Sequence, residues 1–467
     1  MLYRDKRNLY VSIHPIVILY QDYILQLDTK CIDNGKRRLS IDTGGLDVAT
    51  GYQQRLPLGE RKRSANSGSI WESALQKKRK GLDMWYDNEE RELIRNAARE
   101  FAENEVQPFV KRMEVDHEYP TELVKRMGEL GFNGWIHKEI AGGSEGDWTT
   151  YGIILEEISK VSNTLALILV LQTVMCTTAW DLAGTDEQCE KWLKPVFTGE
   201  KIMAVSNTEP CGAIQYGEFQ SRAYFDEDTN EWVINASKIF TTGAGQADIY
   251  VVHALTSDFD PETRKGLSIF VVPADTPGVR PGHIENKLGW NGSSTGSMYY
   301  DEVRVPAENL IGEEGMGAIY LDEMSAREVM CFGPMCLGAC EGAFEKALAY
   351  VKQRNQDGTT LYLGHETVRH TLAKMWLAIE TLRGYVYTNL DLKDQGGFTV
   401  AECMGQKVIG SEIMQYVGKN AVMICGGQGI VVENGIESTY RDGLVNAIGG
   451  ASTYTLLDPI SLIVTSD

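Results

Sequence analysis

Ala204-Val205-Ser206-Asn207-Thr208-Glu209-Pro210 is where the chain changes character. Upstream, back to about residue 84, apolar side chains recur every three or four residues, the period of amphipathic helices. Downstream, β-branched and aromatic runs alternate with Gly, Pro and Asp, the pattern of short strands and turns. After Gly312-Glu313-Glu314-Gly315 the helical period returns. This order predicts an α+β protein: an N-terminal helical domain over residues 84–202, a central β-barrel or sandwich domain over 203–311, and a C-terminal four-helix bundle over 312–467.

In the first helical region, Leu93, Ile94, Ala97, Ala98, Phe101, Ala102 and Val106 mark one amphipathic helix, which Pro108 is expected to close. Pro120-Thr121-Glu122 opens a second, and Gly131 supplies its stop. A third runs from Thr150 through Ile158, and a fourth, apolar almost throughout, from Leu165 to Leu182. In the β region, Ser221–Phe225 and Trp232–Phe240 flank the polar cluster Asp226-Glu227-Asp228-Thr229-Asn230 and read as a hairpin. Further strands are expected at Ile249–Leu255, Leu267–Val272 and Ser297–Val305, then helices at Ala326–Val351, His365–Leu382 and Thr399–Met423.

Residues 1–83 are different: they hold 15 Lys/Arg against 9 Asp/Glu, including Arg61-Lys62-Arg63 and Lys77-Lys78-Arg79-Lys80. Basic runs without apolar periodicity read as a disordered extension, and Met84 is an alternative start of the folded chain. The 467 residues carry a net charge of −20, which argues against a nucleic-acid partner. The nine cysteines form no CxxC pair or Cys/His cluster, so no metal site is expected, and Cys336 with Cys340 read as buried reduced thiols of a cytoplasmic protein. Leu9–Leu27 is interrupted by Pro15 and Asp22 and is not expected to be a signal peptide, and no transmembrane helix is expected.

Six local strings in order make the pattern specific. They are Thr208-Glu209-Pro210, Lys238-Ile239-Phe240-Thr241-Thr242-Gly243, the glycine loop Gly312 to Gly317, Arg354 with Gly358, Cys425-Gly426-Gly427-Gln428-Gly429, and Tyr440-Arg441-Asp442. Together they resemble the acyl-CoA dehydrogenase family over residues 84–467. The resemblance implies a flavin enzyme that oxidises an acyl-CoA thioester, a base removing the α proton while hydride leaves the β carbon. It implies FAD held at its ring by Ser206, Thr208, Phe240 and Thr242. Arg354, Gly426 and Gly427 of a neighbouring subunit would hold its diphosphate in a tetramer, and Arg327 would stand at the thioester. An electron-transferring flavoprotein is the implied electron acceptor. The helix Leu165 to Val174 would floor the acyl pocket.

The same comparison exposes gaps. The family's loop glutamate falls at Gly449 in Ile448-Gly449-Gly450-Ala451, and the alternative base position, just before Arg327, is Ala326. Glu323 is the candidate substitute, one helical turn from Ala326, with Asp322 and Glu328 flanking the same turn. Cys211-Gly212-Ala213-Ile214-Gln215 lacks a serine expected near the flavin, and Asp357, Glu366 and Met423 alter the pocket implied for the adenosine half. Two readings follow: an FAD-dependent oxidoreductase carrying out α,β-dehydrogenation or a variant elimination, and a catalytically silent subunit paired with an active paralogue.

Overall fold

The computed structural model describes residues 86–397 and 399–465, so the basic N-terminal region lies outside the described residues. Helix α1 (Glu89–Phe101) starts at Asn88, whose side chain accepts the Arg91 N–H, and carries Glu89, Glu90 and Glu92 in its first turn, where they favour the helix dipole. Pro108 does not close this segment. A π turn at Ala102–Val106 and a 3-10 turn at Gln107–Phe109 carry the chain into Val110–Glu114, with Pro108 at the start of a turn where no N–H is needed. Helix α2 (Thr121–Glu129) does stop at Gly131, whose φ of +78° lets the Phe132 N–H reach back to the Met127 carbonyl.

Helix α3 (Trp148–Val161) turns at Ser162 into α4 (Asn163–Val170), which the Ser162 side chain caps. The single helix expected to Leu182 is interrupted. A π turn at Leu171–Met175 and a break at Cys176-Thr177 precede a short helix, Thr178–Ala183. Asn163–Ala183, with a mean hydropathy of 1.7, is long and apolar enough to cross a membrane, but all of α4 is buried inside the fold. It is the hydrophobic centre of this region.

The β region is one seven-stranded sheet. Its strands are β1 (Met203–Ser206), β2 (Arg222–Asp226), β3 (Glu231–Thr242), β4 (Ile249–Asp260), β5 (Lys265–Pro273), β6 (Val279–Ile284) and β7 (Thr295–Pro306), in the order β1-β4-β2-β3-β7-β6 with β5 also on β4. The hairpin β2–β3 forms as expected, Arg222 opposite Asn235 and Asp226 opposite Glu231. Strand β6 escaped sequence reading because it contains Pro281 and Gly282 and buries no residue fully.

The C-terminal region comprises α5 (Gly317–Gln353), α6 (Glu366–Asp394), α7 (Val400–Cys425), α8 (Ser438–Asn446) and α9 (Thr453–Thr465). Helix α5 crosses α3 at backbone contact: a β-carbon at Gly338 or Gly342 would lie 2.1 Å from the Glu156 or Lys160 carbonyl oxygen. A buried clamp fixes the crossing. Glu156 takes Arg383 at 2.6 Å and the Tyr387 hydroxyl, with Arg95 at 4.0 Å. Burial works against the Glu156 charge, but Arg383 and Arg95 outweigh it and hold this carboxyl below its usual range.

Candidate active site

The Thr-Glu-Pro turn is tied to β3 from beneath. Lys238, wholly buried, pairs with Glu209 at 2.7 Å and donates to the Asn207 carbonyl at 3.0 Å. Glu209 also accepts the backbone N–H groups of Gln220 and Ser221. The Ile239 N–H donates to the Thr208 carbonyl at 2.9 Å, and the Ser206 and Thr241 hydroxyls lie 3.0 Å apart. The ends of β1 and β3 are thereby held side by side.

Between Lys238 and Thr241 the β3–β7 register slips, and Phe240 sits in this bulge at φ +53°, 60% exposed. A phenylalanine in the left-handed region is strained, and an exposed strained aromatic at a strand end presents a flat face for a ring to lie on. Thr242 follows, its hydroxyl 3.4 Å from that of Thr295, and the buried Asn207 Oδ1 has no hydrogen-bond partner among the described residues. The structure thus brings together Ser206, Thr208, Phe240 and Thr242.

Arg354, Gly426 and Gly427 form a second, separate group. Arg354 leaves the end of α5 exposed and, among the described residues, donates only to the carbonyl of its neighbour Asn355, at 2.9 Å. Gly426, at φ +59°, and Gly427 would meet nothing within 4 Å if given β-carbons, so their backbone lies open to an incoming group. Among the described residues no hydrogen bond or ion pair joins this group to the first. Of the substitutions near it, Glu366 lies 3.4 Å from His370 and Met423 is exposed.

The residues expected around the thioester are engaged elsewhere. Arg327 is gripped by Asp181 at 2.7 Å and Glu323 at 2.9 Å, and Asp181 continues to His137 at 2.8 Å. Glu323 is 39% exposed in its side chain and also stands 4.0 Å from Lys393. The sequence suggested Glu323 from helical spacing alone, and in space that spacing puts it on Arg327.

The loop after α8 holds the less expected arrangement. A β-carbon at Gly449 would lie 2.4 Å from the Trp290 ring, so the indole fills the space of any side chain there. A β-carbon at Gly450 would lie 2.3 Å from Glu328 Oε1, so a carboxylate fills that one. Glu328 is 5% exposed, and burial pushes its pKa up against the pull of Lys407. Lys407, buried completely, donates to the Gly449 carbonyl and lies 3.8 Å above the Phe332 ring. The sequence places Glu328, one of the acids flanking the turn of Glu323, beside Arg327. Its approach to Gly450 depends on how the loop returns to α5, which no local pattern encodes.

This three-part chain matches three domains in succession: acyl-CoA dehydrogenase N-terminal at residues 88–200, middle at 204–303, and C-terminal at 315–460. The protein belongs to the acyl-CoA dehydrogenase family. It is 36% identical over 360 residues to a short-chain specific acyl-CoA dehydrogenase of Clostridium acetobutylicum, a match covering 77% of this chain and 93% of that one. It is 32% identical to the CarC subunit of the caffeyl-CoA reductase-Etf complex of Acetobacterium woodii, over 76% of this chain and 93% of the relative. Butyryl-CoA dehydrogenase of Megasphaera elsdenii shares its fold with a TM-score of 0.76 at 29% identity, covering 81% and 99% of the two chains.

Proposed function

We propose that the protein is an FAD-dependent oxidoreductase acting on the CH–CH bond of acyl-CoA thioesters, by α,β-dehydrogenation or a related elimination. The observation that carries this reading is Phe240, exposed and held at positive φ among Ser206, Thr208 and Thr242 at the paired ends of β1 and β3. That surface suits a planar heterocycle with hydrogen-bonding edges, and the open backbone at Gly426-Gly427 beside a free-standing arginine suits a diphosphate. When bound, the flavin supplies a two-electron hydride acceptor. The chain's own part is to place the ring against Phe240, to offer donors from Ser206 to Thr208 and from Thr242, and to hold the distal phosphates through Arg354, Gly426 and Gly427.

These two groups belong to one cofactor only if a second copy of the chain supplies the distal half, which makes a homotetramer or a mixed oligomer part of the proposal. The name of the CarC relative supports an electron-transferring flavoprotein as partner. The proposed compartment is the cytoplasm. Purification followed by an absorbance scan tests the reading. A flavin spectrum that bleaches anaerobically with butyryl-CoA is expected. A colourless chain would instead point to a silent subunit that needs an active paralogue.

A further inference from the structure

We infer that Glu328 is the general base of this site, its carboxylate standing in the space that a side chain from the loop residue Gly450 would occupy. The inference rests on the acyl-CoA reading above and supplies the residue that reading lacks. Removing an α proton requires a basic atom, and neither Gly449 nor Ala326 carries one. Glu328 follows Ala326 by two residues on α5, and its Oε1 lies 2.3 Å from the β-carbon site of Gly450, the residue after Gly449.

Three features set this carboxylate apart from a structural one. It accepts no hydrogen bond from any described residue, whereas buried carboxylates with structural roles are bonded, as Glu156 and Glu209 are here. It lies directly beneath Gly450, which is exposed and has no side chain to cover it. The neighbouring cation, Lys407, is turned to the Gly449 carbonyl and the Phe332 face, leaving the carboxylate oxygens uncommitted. Burial makes such a group more basic than an exposed glutamate, the direction a base working near neutrality requires. Glu323, another acid near this turn, is partly exposed and bound to Arg327.

The step balances without an oxidant. A Glu328 oxygen takes the α proton of the thioester and becomes a carboxylic acid, and the C–H electron pair enters the thioester enolate. The reverse step returns a proton that has exchanged with water.

Deuterium exchange reads this half-reaction alone. Full-length protein is incubated in D2O with acetyl-CoA, which has α protons but no β carbon, and in parallel with butyryl-CoA under anaerobic conditions. Mass spectrometry then follows α-deuteration. We expect wild type to exchange both thioesters, and E328Q to lose about 10²- to 10⁴-fold in rate while keeping its flavin spectrum and its butyryl-CoA affinity. E323Q is expected to exchange at the wild-type rate. The double variant E328A/G450E, which moves the carboxylate onto the loop, should recover part of the loss. Exchange by E328Q at the wild-type rate, or no exchange by a wild type that binds butyryl-CoA, would overturn the assignment alone. A wild type that binds no thioester would overturn the acyl-CoA reading, and the assignment with it.

Discussion

Two buried lysine–glutamate couples, one in the β region and one in the C-terminal helices, use the same residue types to opposite ends. Lys238 and Glu209 touch at 2.7 Å, and Glu209 is further bonded by two backbone N–H groups. Those contacts overcome the effect of burial and hold the Glu209 carboxyl below its ordinary range. Glu328 has no such bonds, and burial leaves its carboxyl above that range. Both lysines are pushed down to about 8 by burial. Glu209 touches its lysine and two backbone N–H groups, whereas Glu328 touches no such partner among the described residues. Direct contact with the cation therefore comes first and hydrogen bonding second in separating them: a closed couple holds a turn in place, and an open one leaves a carboxylate uncommitted.

Breaking the closed couple should have the largest effect. Glu209→Ala leaves Lys238 buried and unpaired and releases the backbone of Gln220 and Ser221, a loss of about 3–5 kcal/mol. Urea unfolding measures it. The flavin spectrum should vanish with it, because Lys238 and Glu209 fix Thr208 against β3. Glu328→Gln removes a charge that no described residue hydrogen-bonds but still leaves the buried Lys407 without its counter-charge, so its loss should be smaller than that of Glu209→Ala, where bonds break as well. An equal loss in both variants would erase the distinction between the couples.

The next effect concerns the loop over the open couple. Gly449→Glu forces a side chain into the Trp290 ring, which Asn163 holds through the indole N–H at 3.1 Å. Overpacking of this kind destabilises by about 1–3 kcal/mol. A thermal melt should show the loss, and α-deuteration should not rise above wild type. A gain in exchange would mean that Trp290 yields and that position 449 faces the thioester.

How much of this the sequence carries depends on whether a feature is local. The β2–β3 hairpin, the stop at Gly131 and the return of helices after Gly315 follow from turn residues and apolar period, signals contained within a few residues. Ser206, Thr208, Phe240 and Thr242 come from motif register, and they stand together at the paired ends of β1 and β3. The continuation through Pro108 was not legible, because a π turn upstream leaves the proline at the start of a 3-10 turn, where its missing N–H has no carbonyl to meet. Nor was Glu328: its meeting with Gly450 joins residues more than a hundred positions apart, in a loop whose glycines advertise flexibility but not destination. Glu323 illustrates the reverse case, in which correct helical spacing named a residue whose partner turned out to be Arg327.

Removing the lysine of the open couple should change pH dependence. Lys407 favours the ionised form of Glu328, so Lys407→Met raises the Glu328 pKa further. The rising limb of α-deuteration against pH then moves to higher pH. At a fixed pH below that limb the rate follows the ionised fraction of Glu328, so a limb displaced by about one pH unit means a rate about tenfold lower. An unmoved limb in this variant would show that a different group titrates.

The smallest effect is expected at Glu323, and its smallness is informative. Its pair with Arg327 is partly open to solvent, where an ion pair contributes about 0.2–1 kcal/mol. In Glu323→Gln, Arg327 is still held by Asp181, whose burial is outweighed by His137 and Arg327, so that its carboxyl sits below the usual range. With a depressed folded value, the stability Asp181 contributes is complete above the unfolded value of about 3.9 and is lost as pH falls through the lower folded one. Between about pH 5 and 8 that support is constant, and the variant's unfolding free energy should run parallel to wild type, offset by less than about 1 kcal/mol. If exchange instead falls in this variant, Glu323 is the base, and the open couple at Glu328 has a structural role.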